Sequence, residues 1–161
     1  MTHVVLGLGS NINREKNIRF AVKQIGDRYG EIEISPIYET AAIGFDGPAF
    51  FNLVLGFKTS SSLLDIRDKL RNIETAAGRI RGRQSFDNRH LDIDVELFGD
   101  KNLRPDGLNI PSDEIEKYAY VLKPLSDLYP TLAHPVSGVK FEQMWLDFDS
   151  TQKLGVANFS L

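Results

Sequence analysis

The chain has no cysteine and only three histidines, His3, His90 and His134, scattered over 161 residues. That excludes a disulfide framework and thiolate metal sites, and leaves too few nitrogen ligands for a zinc centre. No apolar run approaches the roughly 20 residues needed to cross a bilayer. The opening Met1-Thr2-His3-Val4-Val5-Leu6 lacks the basic segment and long apolar stretch of a secretion signal. A surplus of positive charge is also missing: the net charge is -3, which argues against a general nucleic-acid binder. There is no Gly-x-x-x-x-Gly-Lys-Ser/Thr loop, and Gly7-Leu8-Gly9 lacks the third glycine of a dinucleotide fingerprint. These absences lead us to expect a cytoplasmic protein with no nucleic-acid or membrane partner; a monomer or weak homodimer is expected without any residue pattern that fixes it. With 42% hydrophobic residues and no low-complexity linker, residues 1–161 read as a single domain.

Against that acidic background, positive charge is concentrated locally. Arg79, Arg81, Arg83 and Arg89 lead into Leu91-Asp92-Ile93-Asp94-Val95-Glu96-Leu97, which alternates like a strand. Period two directs Leu91, Ile93, Val95 and Leu97 to one face and Asp92 and Asp94 to the other, roughly 7 Å apart. Magnesium takes oxygen ligands from one or two carboxylates plus substrate phosphates, and guanidinium groups complement phosphates bidentately. The segment therefore reads as a site for Mg²⁺ and a polyphosphate. The competing reading is a half-buried strand with a solvated acidic face.

The remaining elements follow from periodicity. Val4 to Leu8 forms a strand ending in the turn cluster Gly9-Ser10-Asn11. Ile18, Val22, Ile25 and Tyr29 mark a helix over 14–29, stopped by Gly30. A strand over 31–38 carries Pro36, which favours an edge. In the strand over 50–58, Phe51, Leu53, Leu55 and Phe57 share one face, and Phe50, Asn52 and Val54 the other. A second helix opens at Ser62 with Asp65 in a near capping box, places Leu63, Ile66, Leu70 and Ile73 on one stripe, and ends at Gly78. Residues 111–120 open with a short helix, 121–129 form an apolar segment interrupted by Pro124, and 141–148 fit a helix or a strand. The order strand, helix, strand, strand, helix, strand is the split βαβ pattern. It predicts an α+β, ferredoxin-like antiparallel sheet with helices on one face and long loops building a ligand cleft on the other.

With these residues in view, the chain resembles the 6-hydroxymethyl-7,8-dihydropterin pyrophosphokinases, ATP-dependent diphosphokinases of folate biosynthesis. The resemblance rests on Leu8-Gly9-Ser10-Asn11, Ser35-Pro36-Ile37-Tyr38-Glu39-Thr40, Phe50-Phe51-Asn52, Gly78-Arg79-Ile80-Arg81, Arg89-His90-Leu91-Asp92-Ile93-Asp94, and Ile110-Pro111 with Val121-Leu122-Lys123-Pro124-Leu125. It implies pyrophosphoryl transfer from ATP to a reduced pterin alcohol, giving AMP and the pterin diphosphate. It further implies that Asp92 and Asp94 hold two Mg²⁺ ions, that Arg79, Arg81 and Arg89 are catalytic, and that they meet the nucleotide together with Arg83 and Ser112. The pterin would be held by Phe50, Tyr120 and Asn52, with Gly9, Thr40, Ala41 and Ile43 around the ring. Three positions depart from the family pattern. Ser112 stands where a histidine usually follows Ile-Pro, Tyr118 where an arginine is common, and Asp87-Asn88 where Gly-Pro precedes the arginine. Two other readings stay open: a paralogue that binds a pterin without efficient transfer, and an RNA-binding ferredoxin-like module, although the aromatic glycine-rich strand motif of the latter is missing.

Overall fold

The computed structural model describes residues 1–42, 46–78, 91–149 and 151–161. Its centre is β1 (Thr2–Ser10), flanked by antiparallel β4 (Phe50–Thr59) and β5 (Asp92–Phe98). Beyond β4 lie two short strands, β2 (Glu33–Ile34) and β3 (Tyr38–Thr40), and β3 pairs with β6 (Gly155–Val156). The order β5-β1-β4-β3-β6, with β2 on β4, is the ferredoxin-like arrangement expected from the sequence. The strand expected over 31–38 is split at Ser35-Pro36. There the Ser35 hydroxyl accepts a hydrogen bond from the Val54 amide at 2.9 Å, while the Ser35 amide donates to the Val54 carbonyl, carrying the ladder past the break.

One face is covered by α1 (Arg14–Tyr29) and α2 (Leu63–Ala76). Ile18, Ala21 and Ile25 of α1 and Ile66, Leu70 and Ile73 of α2 pack on Val4, Leu6, Leu8, Phe51, Leu53, Leu55, Ile93 and Val95. The Ser62 hydroxyl accepts from the Asp65 amide at 3.1 Å, as the capping pattern predicts.

The other face differs from expectation. It carries helices, not loops alone: α3 (Glu114–Lys117), α4 (Ala119–Leu128) and α5 (Phe141–Asp147). Val5, Val54 and Leu97 of the sheet meet Ile115, Val121, Leu122, Leu125 and Phe141 there. Pro124 sits inside α4, not at a break. A proline in a helix interior costs about 3 kcal/mol, whereas burying Val121, Leu122 and Leu125 returns roughly 1.5 to 3 kcal/mol apiece, so tertiary packing wins.

The alternation of β5 also departs from strict period two. Leu6 pairs with Val95 but Val5 pairs with Leu97, so the register slips by one residue and Glu96 has no cross-strand partner. Beyond this bulge Leu97 joins the α4 face and Phe98 the α1/α2 face, correcting the assignment of Leu97 to the side of Ile93 and Val95.

Candidate functional site

On the face opposite α1 and α2, β1 contributes Gly7 and Gly9, which lack side chains. Gly9 pairs with Asp92 on one side and Asn52 on the other, and Gly7 with Asp94 and Val54. The result is a trough floored by backbone and walled by two aspartates and an asparagine. Asp92 is half-buried and Asp94 exposed. The strand bearing them is tied to α2, because the buried Glu74 carboxylate accepts from the Ile93 amide at 2.9 Å.

Two cavities meet at these acids. The larger, about 350 Å³, runs toward α2 and is lined by Arg67, Arg71, Asn109 and Ser112 together with Asp92, Asp94 and Glu114. The smaller is lined by Gly7, Gly9, Asn52, Glu96 and Tyr120, again with Asp92, Asp94 and Glu114. The aspartates thus stand between a compartment with two guanidinium groups and one with an amide and a phenol.

The expected pterin-side residues are brought together in part. Asn52 is buried, and its Nδ2 donates to Thr40 Oγ1 at 2.8 Å. Phe50 is half-buried at the start of β4, with its ring edge beside Gly9. Tyr120, on α4, stacks on Tyr118 with centroids 4.9 Å apart and planes 20° apart, so the residue standing where an arginine is common serves as an aromatic neighbour. Burial, then the Glu114 carboxylate, push the Tyr120 phenol upward. Ala41 is exposed just past β3. Ser112 is buried: its amide donates to the Glu96 carbonyl at 2.9 Å and its Oγ accepts from the Glu114 amide at 3.3 Å, opening α3. Ile43, Arg79, Arg81, Arg83 and Arg89 lie outside the described residues.

Sequence reasoning did not single out Glu96, Glu114, Arg67 or Arg71. Glu96 is 1% exposed, and its Oε2 has no hydrogen-bond partner among the described residues. Burial first, then the neighbouring Glu114 and Asp94 carboxylates, hold its carboxyl well above the usual carboxylate range. A signal for it was present: a glutamate in the run Val95-Glu96-Leu97-Phe98, facing a strand with glycines two residues apart. Arg67 and Arg71 stand one helical turn apart on α2, the spacing that places both on one side.

Residues 5–130 match the family model of 7,8-dihydro-6-hydroxymethylpterin-pyrophosphokinase (HPPK). The 2-amino-4-hydroxy-6-hydroxymethyldihydropteridine pyrophosphokinase of Aquifex aeolicus is 35% identical over 139 residues, 84% of this chain and 86% of the relative. The enzyme of the same name from Pseudomonas aeruginosa is 35% identical over 136 residues, 82% and 83% of the two chains. Among solved structures, Plasmodium falciparum HPPK-DHPS with pteroate superposes with a TM-score of 0.69 at 16% identity. That alignment covers 91% of this chain and 42% of the longer one, and it establishes the shared fold. The chain belongs to the 7,8-dihydro-6-hydroxymethylpterin-pyrophosphokinase family.

Proposed function

We propose that residues 1–161 form one catalytic domain that transfers a pyrophosphoryl group from ATP to the hydroxymethyl oxygen of 6-hydroxymethyl-7,8-dihydropterin, releasing AMP and the pterin diphosphate. The observation that carries this reading is that Asp92 and Asp94 border both cavities, so one pair of carboxylates serves two compartments of different chemistry. The all-oxygen donor set suits Mg²⁺, and Asp92 and Asp94 are the residues assigned to hold two ions. Bound there, the ions would neutralise phosphate charge and act as Lewis acids.

The chain's own side chains do the rest. Asn52 presents an amide that both donates and accepts to the pterin's amide edge, and Phe50 and Tyr120 offer aromatic faces to a flat heterocycle. Gly9 and Thr40 stand beside Asn52, and family resemblance adds Ala41 and Ile43 to the pterin side. Arg67 and Arg71 add positive charge on the opposite side. Arg79, Arg81, Arg83 and Arg89 are assigned to the triphosphate by family resemblance alone. Holding the attacking oxygen and the β-phosphorus together converts a bimolecular step into a positioned one, the dominant contribution in phosphoryl-type transfer.

The binding-only alternative draws support from Ser112, whose hydroxyl is engaged with the backbone of α3. One assay separates the two. Purified protein is incubated with ATP, Mg²⁺ and the pterin alcohol, and AMP and pterin diphosphate are resolved by chromatography. Equimolar formation of both is expected; pterin binding with no AMP above the protein-free control would replace the transferase with the paralogue.

A further inference from the structure

We propose that Asp94, Glu96 and Glu114 form a binding site for one divalent cation, additional to the ions assigned to Asp92 and Asp94. The inference shares Asp94 with the proposed function but otherwise rests on two side chains, Glu96 and Glu114, and it holds whether or not pyrophosphate is transferred.

The extra residue in β5 leaves Glu96 out of the pairing ladder and turns its side chain over Gly7: a Cβ built on Gly7 would lie 2.4 Å from Glu96 Oε1. Only a glycine leaves the carboxylate that position. One oxygen from each of Asp94, Glu96 and Glu114 then lies within 4.8 Å of the other two. Ligands about 2.1 Å from a magnesium ion are separated by about 3.0 Å when adjacent and about 4.2 Å when opposite, and calcium distances of about 2.3 to 2.6 Å widen the opposite pair to about 5 Å. The three oxygens are therefore spaced as ligands of a single cation.

Acidic residues often gather without binding anything; the orphaned atom sets this group apart. Although Ser112 hydrogen-bonds the Glu96 side chain, Oε2 has no partner among the described residues, and the residue is 1% exposed. Buried polar atoms are nearly always satisfied, so the unpaired oxygen points to a ligand. Three carboxylates crowded together repel one another, and a cation reverses that repulsion. The cleft against which they stand leaves about 30 Å³ beside the carboxylates, room for an ion or a water. Carboxylate oxygens alone select hard ions, magnesium, manganese or calcium, over zinc or copper.

The test uses metal-stripped full-length protein without nucleotide or pterin. Mn²⁺ is titrated in while free Mn²⁺ is followed by electron paramagnetic resonance, and the melting temperature is recorded with and without the ion. Wild type should take up Mn²⁺ and melt higher with it, and Mg²⁺ should compete. Glu96→Gln and Glu114→Gln should each weaken uptake by roughly tenfold to a hundredfold. Asp92→Asn should retain a bound Mn²⁺, because the proposed site does not use Asp92. The proposal is overturned if both glutamine variants titrate like wild type, if Asp92→Asn abolishes uptake, or if wild type takes up none. Should Glu96→Gln fail to fold, the half-buried Glu114 decides by itself. A protein that makes AMP and pterin diphosphate while the glutamine variants bind Mn²⁺ unchanged loses this site and keeps its proposed activity.

Discussion

Gly7 is the most informative single position at which to perturb this molecule, since the trough and the placement of Glu96 both depend on it. In Gly7→Ala the new methyl would stand 2.4 Å from Glu96 Oε1, 3.2 Å from Cδ and 3.3 Å from Cγ. Rotating the carboxylate cannot relieve three such contacts, so the whole side chain must shift within a site where it is 1% exposed. Overpacking of this kind costs about 1 to 3 kcal/mol, and the alanine recovers about 0.5 to 1 kcal/mol of backbone entropy, for a net loss of about 1 to 2 kcal/mol. In a domain of this size that lowers the melting temperature by about 2 to 8 °C. In a Glu96→Ala background the clash is gone, and the same change should raise stability by about 0.5 to 1 kcal/mol, a coupling of about 2 kcal/mol across the cycle. Thermal melts of the four proteins measure it. Equal effects of Gly7→Ala in both backgrounds would show that Glu96 does not occupy the space above Gly7.

Asp94→Ala should abolish AMP release while leaving the melting temperature within a few degrees, because an exposed carboxylate contributes little to stability; full turnover at limiting Mg²⁺ would remove it from the metal site. Asn52→Ala breaks the 2.8 Å bond to Thr40 and should weaken pterin binding by about 1 to 3 kcal/mol, roughly tenfold to a hundredfold, with ATP affinity little changed. Fluorescence titration with each ligand checks this, and equal losses would mark Asn52 as structural. Acid sensitivity should come in part from His134, whose imidazole burial holds below its ordinary value, with Glu116 opposing and Arg104 reinforcing. Its Nδ1 accepts from the Val136 and Ser137 amides at 3.1 and 3.3 Å, so the folded state favours the neutral ring, and stability present above about pH 6.5 is lost as the pH falls below it. His134→Gln should flatten the slope of urea-derived stability between about pH 7 and 5, and an unchanged slope would assign the acid loss elsewhere, His3 being shifted in the same direction.

What was legible in the sequence was whatever a single element decides for itself. The stripe Ile66, Leu70, Ile73 placed α2, the Ser62 cap marked where it starts, and the alternation in β4 separated Phe51, Leu53, Leu55 and Phe57 from Asn52 and Val54. The same-face pairing of Asp92 and Asp94 was equally local, and both border the cavities. What could not be read depends on contacts between elements. Pro124 looked like an interruption because the ~3 kcal/mol cost is visible in the chain while the burial that offsets it, against Val5, Val54 and Leu97, is not.

Glu96 marks that boundary most sharply. Period two cannot survive a bulge, so reading past Val95 sent Leu97 to the wrong side, whereas Glu96 stands on the face of Asp92 and Asp94 as the alternation has it and was not singled out. The bulge is seen only when β1 is laid beside β5, where Gly7 leaves room for the acid. The same juxtaposition bears on the departures from the family pattern. Ser112 and Tyr118 supply no positive charge near the aspartates, and Glu96 and Glu114 add two further acidic side chains there. A site that must hold a polyphosphate against that balance needs cations of its own, from the arginines of α2 and from bound metal. Acids gathered at the meeting point of the two compartments are how such metal would be kept, so removing them should cost the protein nucleotide affinity through lost cations, not gain it through relieved repulsion.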